Sequence, residues 1–204
     1  MSKRRMWNDR YANKDLVWSA GPNELFAREV GSLKPGKALD VACGEGRNAI
    51  WLAEQGWDVT AIDFSDVAIE KGRRIAVKRD VNVDWIAEDV SSWKLPKYEF
   101  DLVAVLYLHT TIGEREQWLE NVINSVKPSG TFIYIAHDSD NIENGVGGPQ
   151  DPALLPTVAE ITGALKDFDI EQAEVIERAV ARDPGHGRES EGIALDSFVR
   201  AVRN

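Results

Sequence analysis

The run Asp40-Val41-Ala42-Cys43-Gly44-Glu45-Gly46-Arg47-Asn48-Ala49 decides how this chain folds. It stands where a short apolar stretch, Lys37 to Val41 (KALDV), gives way to an amphipathic segment from about Arg47 to Gln55. Gly44 and Gly46 let the backbone turn tightly and come close to a ligand. The helix that follows presents unpaired N–H groups at the same point. A strand, a glycine turn and a helix in that order are the opening of a βαβ unit.

The pattern repeats outward from there. The first helix carries Ile50, Trp51 and Leu52 on its apolar face, and Gly56 suits its C′ position. A second strand spans Trp57 to Ile62, and a helix runs from Ser65, a plausible N-cap, to about Lys78. Val83 to Ala87 is a third strand. Phe100 to Leu108 is a fourth, apolar almost throughout and so buried on both faces at the centre of a sheet. A helix from about Gly113 to Val126 leads through the turn Lys127-Pro128-Ser129-Gly130 to strand five, Thr131 to Ala136, and then to a helix near Val158 to Leu165. The last extended stretches, about Asp169 to Arg182 and Ile193 to Val202, pair as an antiparallel hairpin around a polar loop. The expected fold is α/β: one three-layer αβα sandwich on a mostly parallel sheet of about seven strands with a C-terminal antiparallel hairpin. Residues 37–204 form this domain. Residues 1–36, with Trp7, Tyr11, Trp18, Phe26 and the phrase Gly21-Pro22-Asn23-Glu24, form an N-terminal helical segment able to fold over its ligand edge as a lid.

Composition bounds the partners. The 204 residues are 43% apolar and 28% charged, enough for one domain with a full core. No apolar run approaches the ~20 residues of a membrane helix, and no secretory signal opens the chain, so a cytoplasmic protein is expected. The lone Cys43 rules out an internal disulfide or a multi-cysteine zinc site, and no metal is expected. A net charge of −10 disfavours nucleic acid and anionic membranes as partners. Lys3, Arg4 and Arg5 read as a solvated terminus. A monomer or a homodimer is expected.

Three acids stand at successive strand ends. Formally the glycine turn is G-x-G-x-x-A, which also satisfies the dinucleotide fingerprint. Asp40 beside it repels a pyrophosphate and suits a cation such as an α-ammonium or a sulfonium. Asp63 closes the second strand, 19 residues after Gly44, where an acid accepts ribose hydroxyls. Asp89 follows the third strand and can accept from an adenine amine. Taken singly each is an ordinary turn or cap residue; in this order they describe a nucleoside with a cationic tail and no phosphate. S-adenosylmethionine has that description.

At these residues the chain resembles the Rossmann-like class I S-adenosylmethionine-dependent methyltransferases. The likeness rests on DVACGEGRN, VTAIDFS, AEDV, FDLVAVLYLH and the Lys-Pro-Ser-Gly turn, where Ser129 replaces the family's usual glycine. The Cys-Gly-x-Gly-Arg-Asn form is similar to a small bacterial branch related to tellurite-resistance and thiopurine methyltransferases. The resemblance implies that Asp40 and the backbone from Ala42 through Gly44 to Gly46 hold the methionine moiety. It implies that Asp63 binds the ribose with Phe64 against the adenine, that Asp89 and Val90 meet the adenine edge, and that Leu106 and Tyr107 line the methyl side. Arg47 and Asn48 fix the loop or reach toward substrate. Cys43 is a small packing residue.

A sulfonium brings its own leaving group, so the protein must chiefly align the acceptor and exclude water. A thiolate or a metalloid oxyanion needs no base; a hydroxyl or a protonated amine does. Tyr107, His109 and His137 are the candidate catalytic residues, with His186 in the late loop. Arg10, Tyr11 and Trp18 are candidate substrate-side residues, their bland reading being core or lid packing. Gly147-Gly148-Pro149-Gln150-Asp151-Pro152 shapes the acceptor pocket or is a rigid turn. The leading expectation is a methyltransferase acting on a small-molecule acceptor such as a thiol or other soft nucleophile. The alternatives are an NAD(P)-dependent oxidoreductase on the same glycine turn and a catalytically silent nucleoside-binding protein.

Overall fold

The computed structural model of the protein describes residues 2–13, 16, 21–181 and 191–204. Seven strands form one sheet: β1 (Lys37–Val41), β2 (Asp58–Ile62), β3 (Asp84–Ile86), β4 (Phe100–Leu106), β5 (Val126–His137), β6 (Phe168–Val180) and β7 (Gly192–Arg203). Their order is β3-β2-β1-β4-β5-β7-β6. The pairs from β3 to β5 are parallel, and β7 lies antiparallel between β5 and β6. The chain reverses its direction of travel across the sheet after β3, so the top of β1 and β4 is the switch point where α/β sheets bind ligands.

Helices α3 (Arg47–Glu54), α4 (Asp66–Lys78), α5 (Ile112–Ile123) and α7 (Val158–Ala164) cover the faces; α1 (Lys3–Ala12), α2 (Glu24–Val30) and the short α6 (Asn141–Asn144) complete the set. Two apolar clusters lie against the sheet. One joins Leu39, Val103, Trp118, Phe132 and Val199; the other joins Phe26, Leu52, Ala61, Leu102 and Phe198. The strand ends depart from the sequence reading by one or two residues in most places. Gly56, in left-handed backbone, stands just after α3, and Ser65 caps α4 by accepting from the Ala68 N–H.

Three departures have a definite local cause. β4 stops at Leu106 because Tyr107 takes φ 56°, outside strand geometry. The Lys-Pro-Ser-Gly turn lies inside β5: Val126 pairs with Phe100, pairing resumes only at Thr131 with Leu102, and Ser129 (φ 64°) makes the bend. The stretch read as a loop from His137 to Pro156 contains α6 and a 3-10 turn, Pro152–Leu154. Fully buried Asn141 fixes it to the sheet, accepting from Leu195 N (2.7 Å) and donating to Gly147 O (2.9 Å).

The basic start of the chain is the first turn of α1, capped by Ser2. Asn8 fastens α1 to α4, donating to Asp66 (2.7 Å) and accepting from Ser65 Oγ (2.6 Å). Lys3 reaches Glu114 at the start of α5.

Candidate active site

A cleft of about 1950 Å³ opens above the switch point, with walls from the glycine turn, α1, α2, the ends of β2 to β5 and the β6–β7 hairpin. Its shape follows from the glycine turn. Ala42 (φ 55°), Gly44 (φ 56°) and Gly46 (φ 76°) all take left-handed backbone between β1 and α3. Trp85 from β3 packs into the space that glycine leaves. A Cβ on Gly46 would meet the Trp85 ring at 2.2 Å, and one on Gly72 of α4 at 2.6 Å.

Asp63 stands at the end of β2, buried, with its carboxylate held from both sides. Gly44 N donates to Oδ2 (2.9 Å) and Ser65 N to Oδ1 (2.8 Å). Each oxygen has a second lone pair for a hydroxyl in the cleft. Burial raises its pKa, and the two N–H groups oppose that. Phe64, Val90, Leu106 and Ala42 line the cleft beside it; Asp89 lies on the exposed rim and accepts from Ser91 N (2.9 Å).

Asp40 and Gly46 do not line the cleft. Asp40 sits beneath the turn, 1% exposed, with Oδ2 lacking a partner. Burial lifts its pKa to about 7 against the Ala49 N–H and Arg47. The three acids at successive strand ends differ in setting: Asp40 is buried away from the cleft and only partly charged at neutral pH, Asp63 is locked by backbone N–H groups, and Asp89 is on the rim. Arg47 lines the cleft. Asn48 faces the N-terminal segment, accepting from Asn23 N at 2.9 Å, while Asn23 caps α2 through Phe26 N. Cys43 is buried, with burial raising its thiol pKa, and its sulfur lies against Gly44 O.

The opposite wall gathers rings. Tyr107 stands 5.2 Å from His137 and 6.3 Å from His109, and the imidazoles are 5.3 Å apart between centroids. Burial lowers the pKa of both histidines, that of His109 to about 3 with help from His137. The Tyr107 hydroxyl donates to Asp196 Oδ2 (2.7 Å) and accepts from Asn23 Nδ2 (3.3 Å). Arg178 binds the same carboxylate through Nε at 2.6 Å. Sequence reasoning missed Asp196, Arg178 and Asn23 as site residues. Gly148 lies against His137, where a Cβ would sit 2.8 Å from the ring.

On the α1 side, Arg10 and Tyr11 both line the cleft, Arg10 exposed over the Trp7 ring and Tyr11 buried among Trp7, Val67 and Ala68. Trp18 and His186 lie outside the described residues.

A methyltransferase-domain model matches residues 38–130. The chain is 24% identical over 193 residues to a probable thiol methyltransferase 2 of Arabidopsis thaliana, covering 91% of this chain and 82% of that one. It is 27% identical over 158 residues to a 2-heptyl-1-hydroxyquinolin-4(1H)-one methyltransferase of Mycobacteroides abscessus, covering 74% and 69%. The crystal structure of TehB from Haemophilus influenzae superposes with a TM-score of 0.75 at 17% identity, over 90% of this chain and 63% of that one, a likeness of fold. Further structures of this fold are described as S-adenosylmethionine-dependent methyltransferases. An oxidoreductase or a silent binder is not favoured by these relatives.

Proposed function

We propose that the chain is a class I S-adenosylmethionine-dependent methyltransferase, as its methyltransferase-domain match and its relatives support, and that it methylates a small soft nucleophile, a thiol foremost. The carrying observation is the ring wall. Tyr107, His109 and His137 face the cleft, both imidazoles are kept uncharged by burial, and the Arg178 cation is matched by Asp196. Such a wall is polarisable and close to neutral. It suits a sulfur acceptor better than an anion that must be charge-paired. Similarity to a thiol methyltransferase points the same way.

The donor set fits the cofactor. Carboxylates and backbone groups at the β1–β3 edge match hydroxyls and amines, and the orphaned Asp40 Oδ2 leaves negative character under the glycine turn. In this reading Asp63 holds the ribose, Phe64 and Val90 hold the adenine with Asp89 at its edge, and the turn from Ala42 to Gly46 cradles the methionine end. Arg47 and Asn48 brace that turn. Leu106 and Tyr107 border the methyl group. Bound S-adenosylmethionine supplies an electrophilic methyl with a neutral leaving group. The chain's own part is to hold the acceptor in line and keep water out, which lowers the barrier by several kcal/mol. Residues 1–36 act as the lid, with α1 strapped to α4 and the acceptor entering past Arg10. The protein works in the cytoplasm.

Calorimetry with S-adenosylhomocysteine tests the cofactor, with micromolar-range binding expected. A panel of thiols, followed by mass spectrometry, tests the acceptor. Cofactor binding with no thiol methylated overturns the acceptor class.

A further inference from the structure

His109 follows β4 and His137 ends the neighbouring parallel strand β5, so the sheet register carries both to one place on the cleft wall. His137 Nδ1 and His109 Nε2 are 3.3 Å apart, with the rings tilted by 35°. Gly148 on one side and Tyr107 on another hold the His137 ring in position.

Two neutral imidazoles have two N–H groups and two bare nitrogens. A hydrogen bond between them uses one of each. The donating ring therefore keeps its other nitrogen bare, whichever ring it is. A proton received there turns that ring into an imidazolium whose N–H already bonds to the neighbour. The bond becomes charge-assisted, and so stronger, as the charge arrives.

We propose that His109 and His137 act as a single proton-accepting pair that deprotonates the acceptor as it is methylated. This rests on the soft-nucleophile reading above. The acceptor S–H bond breaks and its proton passes to the bare nitrogen of the donating ring. The sulfur electron pair forms the new S–CH3 bond, while the bond from the methyl to the sulfonium breaks and leaves its pair on the departing thioether. One positive charge enters as sulfonium and remains as imidazolium, so net charge is conserved until water takes the proton.

Burial opposes a charge on either ring and is the largest influence on both, so the pair rests neutral until a proton reaches it, and the charged groups around it pull in both directions. Asp196 of β7 favours protonation of both rings, Arg115 of α5 opposes it at His109, and Arg178 of β6 opposes it at His137. Asp196 is already bonded to Tyr107 and Arg178, which tempers its pull.

The test uses the full chain saturated with S-adenosylmethionine and two acceptors. An alkanethiol, with a pKa of roughly 8.5 or above, is protonated at neutral pH; 4-nitrobenzenethiol is already thiolate. His137→Phe and His109→Phe are each expected to lower kcat/KM for the alkanethiol by about 100-fold. For the thiolate the loss should be only a few fold. Equal losses for both acceptors overturn the proposal. An ¹⁵N spectrum of the imidazoles gives a readout without turnover: the rings should bind one proton jointly, and His109→Phe should alter the titration of His137. Independent titration of the two rings near ~6.5 overturns the pair whatever the acceptor is. Joint titration with no thiol turnover supports the pair and rejects only the thiol.

Discussion

Tyr107 and Asp196 lie 89 positions apart in the chain and meet across the cleft wall, the phenol donating to Oδ2 at 2.7 Å. The contact joins the end of β4 to β7 and aims the Tyr107 ring at the histidines. Tyr107 also pays a backbone cost at φ 56°, which such contacts offset. Tyr107→Phe keeps the ring and removes the bond. Asp196 retains Arg178, so the stability loss should be about 1 kcal/mol in denaturant unfolding. The KM for the acceptor should rise several fold with cofactor affinity unchanged. An effect on cofactor affinity alone would place Tyr107 on the other side of the reaction.

Asp63 anchors two backbone N–H groups, so its replacements separate geometry from binding. Asp63→Asn keeps a carbonyl oxygen for one of them but loses the charge and half the acceptor capacity. Its affinity for S-adenosylhomocysteine is expected to fall by 10-fold or more, about 1.4 kcal/mol for each decade. Asp63→Ala leaves Gly44 N and Ser65 N without this partner and should also lower the melting temperature. Unchanged calorimetric affinity in both variants would remove Asp63 from the cofactor site.

Gly72 is a glycine inside α4, where alanine is ordinarily worth up to ~1 kcal/mol more. Here a Cβ would meet the Trp85 ring at 2.6 Å and Glu45 O at 3.1 Å. Gly72→Ala is expected to destabilise by roughly 1–3 kcal/mol, the usual cost of overpacking. Trp85→Leu should recover part of it in the double variant. A stabilised Gly72→Ala would show that the Trp85 ring does not fill that space.

Asp40 gives the stability curve its slope. Its carboxyl pKa is raised from the usual carboxylate value to about 7 in the folded protein, with burial the main cause. The folded state therefore binds a proton that the unfolded state releases near pH 4. This contribution is complete below about pH 4 and is lost as pH rises to about 7, up to roughly 4 kcal/mol at about 1.4 kcal/mol per pKa unit. Asp63, shifted in the same direction, adds to the slope. Asp40→Asn should flatten the fall between pH 4 and 7 in chemical denaturation. An equally steep curve in the variant would assign the slope to other groups.

The order of the elements could be read from the chain because each parallel strand is buried on both faces and shows as an apolar run between turn residues. The glycine turn and Asp63 were legible for the same local reason. Asp196, Arg178 and Asn23 were not: each meets Tyr107 only through sheet order or a lid contact, and of the three only Asn23 stands in a phrase that the sequence sets apart, Gly21-Pro22-Asn23-Glu24. The burial of Asp40 was not legible, because its neighbours in sequence do not show that the turn closes over it. Gly72 is a lone glycine within a helical stretch, and its reason, the Trp85 ring from β3, is a long-range fact that the local sequence does not carry.

Asn8 offers a way to test the lid without touching the cleft chemistry. Its amide bridges Ser65 and Asp66 at the start of α4, next to Asp63. Loss of that bridge frees α1 at its middle, while the sheet and both apolar clusters stay intact. Asn8→Ala should leave the melting temperature within about 2 °C, since a partly exposed hydrogen-bonding pair is worth only ~1 kcal/mol and α1 lies outside the main core. The dissociation rate of S-adenosylhomocysteine should rise several fold in stopped-flow measurements, with a smaller change in association, as for a cover that opens more often. Lys3→Ala, which cuts the exposed tie to Glu114, should act in the same direction and more weakly, and its effect should fade as salt screens the wild-type pair. Unaltered dissociation in the Asn8→Ala, Lys3→Ala double variant would make α1 a packing element and not a cover.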